Sequence, residues 1–179
     1  MTLLICTLPA AAEVRHFKID SGQSTALFRI KMMEVSYFNG QFFEMSGQVD
    51  FDPQNPSAAS IRLEIQSNSV RTGIPKLTEH LKSPDFFNAT QFPRMRFQST
   101  SVKALGEKRF EVSGELTIRG VTRPVTVEVE LVGMRQGGKL MAGFSTIFTI
   151  NRNDFGITYM PGGLSPDVEV RLDLHTYVP

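Results

Sequence analysis

Most of the chain after residue 25 alternates apolar and polar residues with a period of two. In the clearest example, Val125, Val127 and Val129 alternate with Thr126 and Glu128. The same pattern recurs over residues 28–32, 43–51, 61–66, 94–98, 110–119, 144–150 and 168–174. Successive side chains of a strand point to opposite faces. Each segment therefore predicts a strand with one buried and one wet face, which is typical of antiparallel sheets.

The segments between the predicted strands are short and rich in turn-forming residues. Pro, Gly, Asn and Asp recur at residues 52–56, 105–107, 119–120, 137–138 and 161–163. A further, weaker strand is expected over residues 17–19. Regular strands joined by short turns predict either a sandwich or an up-and-down barrel. Since the 179 residues contain no repeat and no linker, we expect a single domain.

One region breaks the alternation, between residues 73 and 92. Ile74, Leu77 and Leu81 have the spacing of one stripe of a short helix. Ser83-Pro84 then ends that helix and favours a second helical turn after it. We predict a short helical insertion near residues 74–88. It is long for a strand connection, and we expect it to cover one end of the sheet structure.

Composition excludes several classes of function. The formal net charge of +1 gives no concentrated basic face for nucleic acid. No apolar run reaches 18 residues, so no membrane-spanning helix is expected. The 14 Phe and 8 Met, with no Trp, predict a dry interior.

The first twelve residues resemble the end of a secretory signal peptide. Residues 3–8 are apolar, and three alanines at 10–12 precede Glu13 as a small-residue cleavage site. The stretch is short and no Lys or Arg precedes it, so we interpret residues 1–12 as a signal-peptide remnant. The domain is expected to span residues 13–179. Cleavage would remove Cys6, the only cysteine, and leave no disulfide or thiol.

No catalytic or metal-binding motif is present in the sequence. The histidines at 16, 80 and 175 have no metal-ligand spacing. The nucleophile elbow GxSxG and the dinucleotide motif GxGxxG are both missing. We therefore predict no catalytic residue, no metal and no cofactor. His80 lies beside the helical stripe, and we interpret it as a helix-edge residue that hydrogen-bonds a nearby loop.

A compact polar cluster follows the strand predicted at 144–150. Arg152 and Asp154 are two residues apart and would share one face of a strand. The favoured interpretation is an ion pair that joins the end of this strand to its neighbour. The alternative is that Arg152 binds the head group of a ligand, because a guanidinium holds a carboxylate or phosphate with two hydrogen bonds.

Three segments together resemble the YceI-like family: HLKSPDFFNATQFPRMRFQST, GELTIRGVTRPVTVEVE and INRNDFGI. The stretches FKIDSGQSTALFRI and SVRT also fit, so the resemblance spans about residues 17 to 175. It implies a lipocalin-like antiparallel barrel with an apolar cavity for polyisoprenoid or other long lipid-like molecules. It also implies a secreted, periplasmic location and does not supply an enzymatic reaction.

The sequence departs from the family's pattern near the proposed cavity. Met32 stands where the family often has His, and Glu34 where it often has Gly. Leu77-Thr78 replaces an Arg-Asp pair. If those polar groups hold a ligand's head group in relatives, these changes imply a different head group or a fully apolar ligand here.

The expected function is non-enzymatic binding of a long isoprenoid or lipid-like ligand, as a carrier, storage or sensor protein. The alternative is a barrel enzyme that isomerises or cyclises a bound lipid, which requires a buried acid or base that we do not find on the inward faces. Whether the protein forms a homodimer stays open. The expected ligand-contacting residues are Phe28, Ile30, Met32, Phe43, Met45, Phe86, Phe87, Met95, Phe97, Ser99, Phe144, Thr146, Phe148 and Arg152.

Overall fold

The structure, a computed structural model, describes residues 14–179. Its strands are β1 (Arg15–Ile19), β2 (Thr25–Met32), β3 (Ser36–Phe42), β4 (Met45–Phe51), β5 (Ser60–Gln66), β6 (Val70–Arg71), β7 (Arg94–Ala104), β8 (Arg109–Ile118), β9 (Val121–Gln136), β10 (Leu140–Asn151) and β11 (Leu164–Tyr177). The helix α1 (Pro75–Lys82) and 3₁₀ turns at Pro56–Ala58, Ser67–Ser69 and Arg152–Phe155 complete the elements of this part of the chain. The predicted leader, residues 1–12, lies outside the described residues.

Eight of the strands close into an antiparallel barrel. Their order is β1-β4-β5-β7-β8-β9-β10-β11, and β11 returns to β1 through the pairs Lys18–Tyr177 and Ile19–Thr176. A closed ring removes the unpaired edges that an open sheet would expose. The prediction of an all-β antiparallel barrel with one helical insertion is confirmed. Among residues 14–179, no helix is long and apolar enough to cross a membrane.

The hairpin of β2 and β3 leaves this ring and extends the wall beyond β11. β2 pairs with β11 from Thr25–Asp173 to Met32–Leu164, and β3 pairs back on β2. The sequence did not predict β3, because Gly40 interrupts its apolar alternation. A Cβ atom at Gly40 would collide with the ring of Phe28, so that ring occupies the place of the missing side chain.

The strand predicted over residues 43–51 begins later than expected. β3 ends at the buried Phe42, and β4 begins at Met45. Phe43 follows an inward side chain, so it points away from the core and is 53% exposed. A shift of one residue reverses the face that a side chain occupies. The placement of Phe43 on the inward face was therefore wrong.

The helical insertion covers one end of the barrel. Inside α1, Thr78 and Leu81 are buried, and Thr78 Oγ1 accepts a hydrogen bond from the backbone N–H of Thr72. After Ser83 the chain continues as turns, held by backbone bonds from Phe87 to Leu81 and from Ala89 to Lys82. These bonds fold the segment after α1 back over the end of the barrel.

The apolar interior consists of two clusters, one toward each end of the barrel. We call the first the packed end; its buried members are Phe17, Val49, Phe51, Val102, Phe110, Val112, Val129, Leu131, Ala142 and Phe144. The second lies beneath α1, and we call it the mouth end; its buried members include Phe42, Leu81, Phe86, Met95, Phe155 and Ile157. Helix α1 lies at the mouth end alone, so the two ends of the barrel are closed by different structures.

Candidate functional site

An apolar cavity of about 400 Å³ lies inside the barrel, between the packed end and α1. Its walls come from nearly every strand of the barrel and from the hairpin of β2 and β3. Pockets for small organic ligands fall in the range of roughly 300–1,000 Å³. Protein interiors otherwise pack to crystal density. A cavity of this size in a small barrel therefore indicates space for a guest.

Aromatic rings form the floor of the cavity. Phe144 lines it from β10, and its ring packs edge-on against Phe51 with 5.7 Å between the ring centroids. Phe51 packs in the same way on Phe110 at 5.5 Å. Edge-to-face contacts at this spacing are favourable beyond their burial. The packed end thus closes the cavity with interlocked rings.

The cavity extends along the strands. On β11 it is lined by Leu164 and, beyond a register shift, by alternate residues from Val168 to Leu174. A rise of about 3.3 Å per residue makes the regular part, from Val168 to Leu174, roughly 20 Å along the strand. The usual strand tilt of barrels reduces it to roughly 15 Å along the axis. An extended hydrocarbon chain fits this shape better than a compact molecule does.

The segment after α1 closes the mouth end with aromatic side chains. Phe87 points inward, and its ring lies 5.2 Å from that of Phe42. Phe86, His80 and Tyr159 form a second group with centroid distances of 4.9–5.1 Å. Tyr159 belongs to the loop between β10 and β11, so this group joins the cap to that loop. The expectation that Phe86 and Phe87 face the apolar interior agrees with their positions.

His80 has the local partner that its sequence position suggested. Its Nε2 lies 2.8 Å from Oδ2 of Asp85, in the turn that follows α1. Both side chains are partly exposed at the mouth. The pair joins α1 to the turn that follows it, and the His80 ring also lines the cavity at its mouth.

Arg152 is buried at the mouth end, and its partners are backbone carbonyls. Its Nε, Nη1 and Nη2 atoms donate to the carbonyl oxygens of Ser165, Ile157, Tyr159 and Leu164 at 2.7–3.0 Å. Asp154 is exposed, and within residues 14–179 no carboxylate forms an ion pair with Arg152. Burial lowers the pKa of Arg152. The predicted ion pair is wrong, because residues 152–155 form a 3₁₀ turn and not a strand.

Of the four carbonyls that Arg152 binds, those of Ile157 and Tyr159 belong to the loop between β10 and β11, and those of Leu164 and Ser165 lie at the start of β11. A guanidinium offers five N–H donors in a fixed plane, and here four are used within the protein. Arg152 therefore shapes the loop that forms one side of the mouth.

Most of the residues expected to contact a ligand do line the cavity. They come from β2, β7, β10, the cap and the turn after β10: Phe28, Ile30, Met32, Phe86, Phe87, Met95, Phe97, Phe144, Thr146, Phe148 and Arg152. The structure therefore brings together side chains that lie far apart in the sequence.

Phe43, Met45 and Ser99 do not line the cavity, and their placement there was wrong. Phe43 faces solvent, as described above. Met45 faces inward but is packed within the mouth-end cluster, away from the open volume. Ser99 Oγ accepts a hydrogen bond from the backbone N–H of Ile61, beside a bulge in β7, and so belongs to the wall. The alternation of residues along a strand indicates the face on which a side chain lies, but not how tightly other side chains pack against it.

The cavity wall offers few free polar groups. Thr146 Oγ1 donates to the carbonyl of Glu128, Ser145 Oγ donates to Asp173, and Arg96 pairs with Glu64. No Asp, Glu or Lys from residues 14–179 lines the cavity. Such a wall binds by burial of apolar surface and by shape. The ionisable side chains that the described residues contribute to this wall are His80, Arg96, Arg152 and Tyr159.

The wall is incomplete between β9 and β10. Their pairing runs from Leu140–Gln136 to Ser145–Glu130 and stops there. Beyond that point no backbone pairs join β9 to β10. Instead, the Thr146 hydroxyl donates to the carbonyl of Glu128, and residues 121–128 pair only with β8. Pro124 lies in this part of β9, and proline in a strand is usually confined to edges because it lacks an N–H. The proline was therefore a sequence signal of an unpaired seam.

Several cavity residues were missed by the sequence analysis. They include Phe38 on the unpredicted strand β3, the β9 valines, and Tyr159 and Met160 in the loop after β10. The valines had the right alternation, so their position on the cavity wall could have been predicted. Tyr159 and Met160 carried no periodic signal, because loops have none.

Comparisons with known proteins agree with the geometry. The family model described as the YceI-like domain matches residues 17–176. Protein YceI of Salmonella newport is 40% identical over 174 residues, which cover 94% of this chain and 89% of that protein. The crystal structure of Burkholderia cenocepacia BcnA has a TM-score of 0.80 at 25% identity, covering 88% of this chain and 98% of that one. A polyisoprenoid binding domain from Saccharophagus degradans has a TM-score of 0.72 at 18% identity, covering 93% and 100%.

Proposed function

This chain belongs to the family of YceI-like domains, and from that premise we propose that it binds a long apolar molecule, such as an isoprenoid lipid, inside its barrel. The observation that carries the proposal is the elongated cavity of about 400 Å³ with an almost wholly apolar wall. Leaving apolar side chains around empty space forfeits their packing contacts. A guest of matching shape restores those contacts and keeps its own hydrocarbon surface out of water.

The wall also indicates which part of the guest is held. Because its polar groups already have protein partners, a charged head group inside the barrel would stay without hydrogen bonds, which is costly. The guest should therefore enter tail first, with its polar end at the mouth near His80 and Tyr159. Selection acts on chain length and apolarity more than on the head group.

The polyisoprenoid-binding name of the Saccharophagus degradans domain is compatible with this proposal. At 18% identity that domain shares the fold with this chain, so the support comes from the cavity and not from the name. We further propose a carrier, storage or sensor role in the periplasm, supported by the signal-like residues 1–12 of the sequence.

Native mass spectrometry of protein purified from its own host, followed by organic extraction, tests the proposal. We expect a bound mass at one molecule per chain that the solvent releases as a long-chain lipid. Titration of the delipidated protein with a fluorescent long-chain fatty acid should then show saturable binding. A protein that releases no lipid and gives no saturable titration does not bind long apolar molecules.

A cavity-filling variant supplies the control. Replacing Val127, which lines the cavity from β9, by Phe adds bulk to the guest volume and should weaken probe binding. The matched change of Val132→Phe adds the same bulk on the outside of β9, where the side chain is exposed. It should leave the titration unchanged. Equal effects of both variants would show that the probe binds outside the cavity.

A further inference from the structure

The tip of the hairpin between β2 and β3 exposes large apolar side chains to solvent. Met33 is 54% exposed and Val35 is 85% exposed. A bond from Val35 N to the carbonyl of Met32 closes a turn whose central residues, Met33 and Glu34, both have positive φ. Asn and Gly usually occupy such positions. Neither the turn nor the core therefore requires Met33 and Val35.

This tip is continuous with the mouth of the cavity. Met32, the residue before the turn, lines the cavity, and so does Met160 in the loop opposite. The backbone N–H of Met33 donates to the carbonyl of Gly163 in that same loop at 2.8 Å. Tyr159, which also lines the cavity, is partly exposed on this side. An apolar surface thus runs from the tip into the barrel.

The side chains behind the tip are aromatic and charged. Tyr37 is exposed on the outer face of β3, and the guanidinium of Arg29 lies 3.8 Å from its ring centroid. Lys31, on the same outer face, pairs with Glu34. Glu169 on β11 lies opposite Arg29, so two basic and two acidic groups share this face. An apolar tip followed by Tyr, Lys and Arg matches the order of hydrocarbon, interface and phosphate in a lipid surface.

We propose that this tip, residues 33–35 with Tyr37 and Tyr159 beside it, docks the mouth of the barrel on a phospholipid bilayer. The inference rests on the proposed function, since docking would let an apolar guest pass between bilayer and cavity with little exposure to water. A protein partner fits the surface less well. Stable protein interfaces bury about 800 Å² on each partner, and a turn of three residues offers a small convex tip.

Flotation of the full chain with vesicles of phosphatidylethanolamine and phosphatidylglycerol tests the docking. The test variant combines Met33→Asn with Val35→Ser; Asn tolerates positive φ, so the turn is kept. The control is Val132→Ser, which removes a similarly exposed apolar side chain from the outer wall of β9. We expect the double variant to reduce the vesicle partition coefficient about tenfold, because it removes the apolar surface that would enter the lipid. The control should float like the unmodified protein, and vesicles of phosphatidylcholine alone should give the same order among the three proteins.

A double variant that floats as well as the unmodified protein would overturn the docking surface, and so would an unmodified protein that does not float. Light scattering without vesicles covers a second copy of the chain: a dimer that the double variant dissociates would assign the tip to self-association instead. Titration with a soluble fluorescent fatty acid, also without vesicles, separates this inference from the proposed function. Normal probe binding with failed flotation rejects docking alone, and flotation without probe binding rejects the proposed function.

Discussion

The two ends of the barrel are made from the same alternating strands, yet only one end is densely packed. At the packed end, the rings of Phe51, Phe110 and Phe144 interlock and fill the interior. At the mouth end, the barrel holds open volume, and α1 with its following turns covers it. The β9–β10 ladder also stops on the way to the mouth. The difference places the densest aromatic packing toward one end of the barrel and the covering helix toward the other.

The largest contrast should come from removing one phenylalanine at each end. Phe110 is 3% exposed, and Phe110→Ala should lower the free energy of unfolding by about 3–5 kcal/mol through lost burial and a new cavity. Phe87 already borders open volume, so Phe87→Ala should cost about 1–2 kcal/mol, since less packing is lost. Urea denaturation of delipidated protein measures both. Equal losses would mean that the mouth end is as tightly packed as the floor.

Arg152→Lys tests how the mouth is held. An ammonium group on a flexible stem cannot reproduce the planar fork that reaches four carbonyls. We expect a loss of about 2–3 kcal/mol in unfolding free energy. Hydrogen exchange should rise in residues 157–165 and stay unchanged in β8 at the packed end. Uniformly faster exchange along the whole chain would instead show that Arg152 supports the entire barrel.

Thr146→Leu and Ser99→Leu add similar bulk at two inward-leaning positions with different surroundings. Thr146 borders the cavity, so the added bulk should cause little strain; the variant should lose about 1 kcal/mol of apo stability, through the missing hydrogen bond to Glu128, and weaken binding of a fluorescent fatty acid. Ser99 lies in the wall against β5, so its variant should cost about 1–3 kcal/mol from strain. It should leave probe affinity intact. The reverse pattern would exchange the two assignments.

The smallest expected effect concerns pH at the packed end. Burial alone would raise the pKa of Asp50, but hydrogen bonds from His16, Gln48 and Ser60 outweigh it and hold that pKa below its ordinary value of 3.8. A depressed folded-state pKa contributes stability above the unfolded value, which is lost as pH falls through the folded value. Asp50→Asn should therefore flatten the dependence of stability on pH below about 3.8. An unchanged acid profile would show that the Asp50 cluster does not contribute to it.

Local patterns predicted the elements that depend on neighbours in the chain. The strand faces of β2, β8 and β11, and the helix stripe through Leu77 and Leu81, depend on side-chain spacing, which the sequence contains directly. The boundaries failed where the chain changes direction between strands. Phe43 was joined to the wrong strand because the step from β3 to β4 is short and lacks both Pro and Gly.

The sequence by itself determined that the chain forms antiparallel strands with one apolar face, and that a short helix interrupts them. Only the tertiary structure decided which inward residues meet open space and which meet other side chains, as Met95 and Met45 show. It also decided that Arg152 binds the carbonyls of a loop and not the carboxylate two residues away. The physical reason is that the face on which a strand residue lies depends on the alternation of consecutive residues. How tightly a side chain is packed, and which groups it hydrogen-bonds, depends on how distant segments close around the same volume.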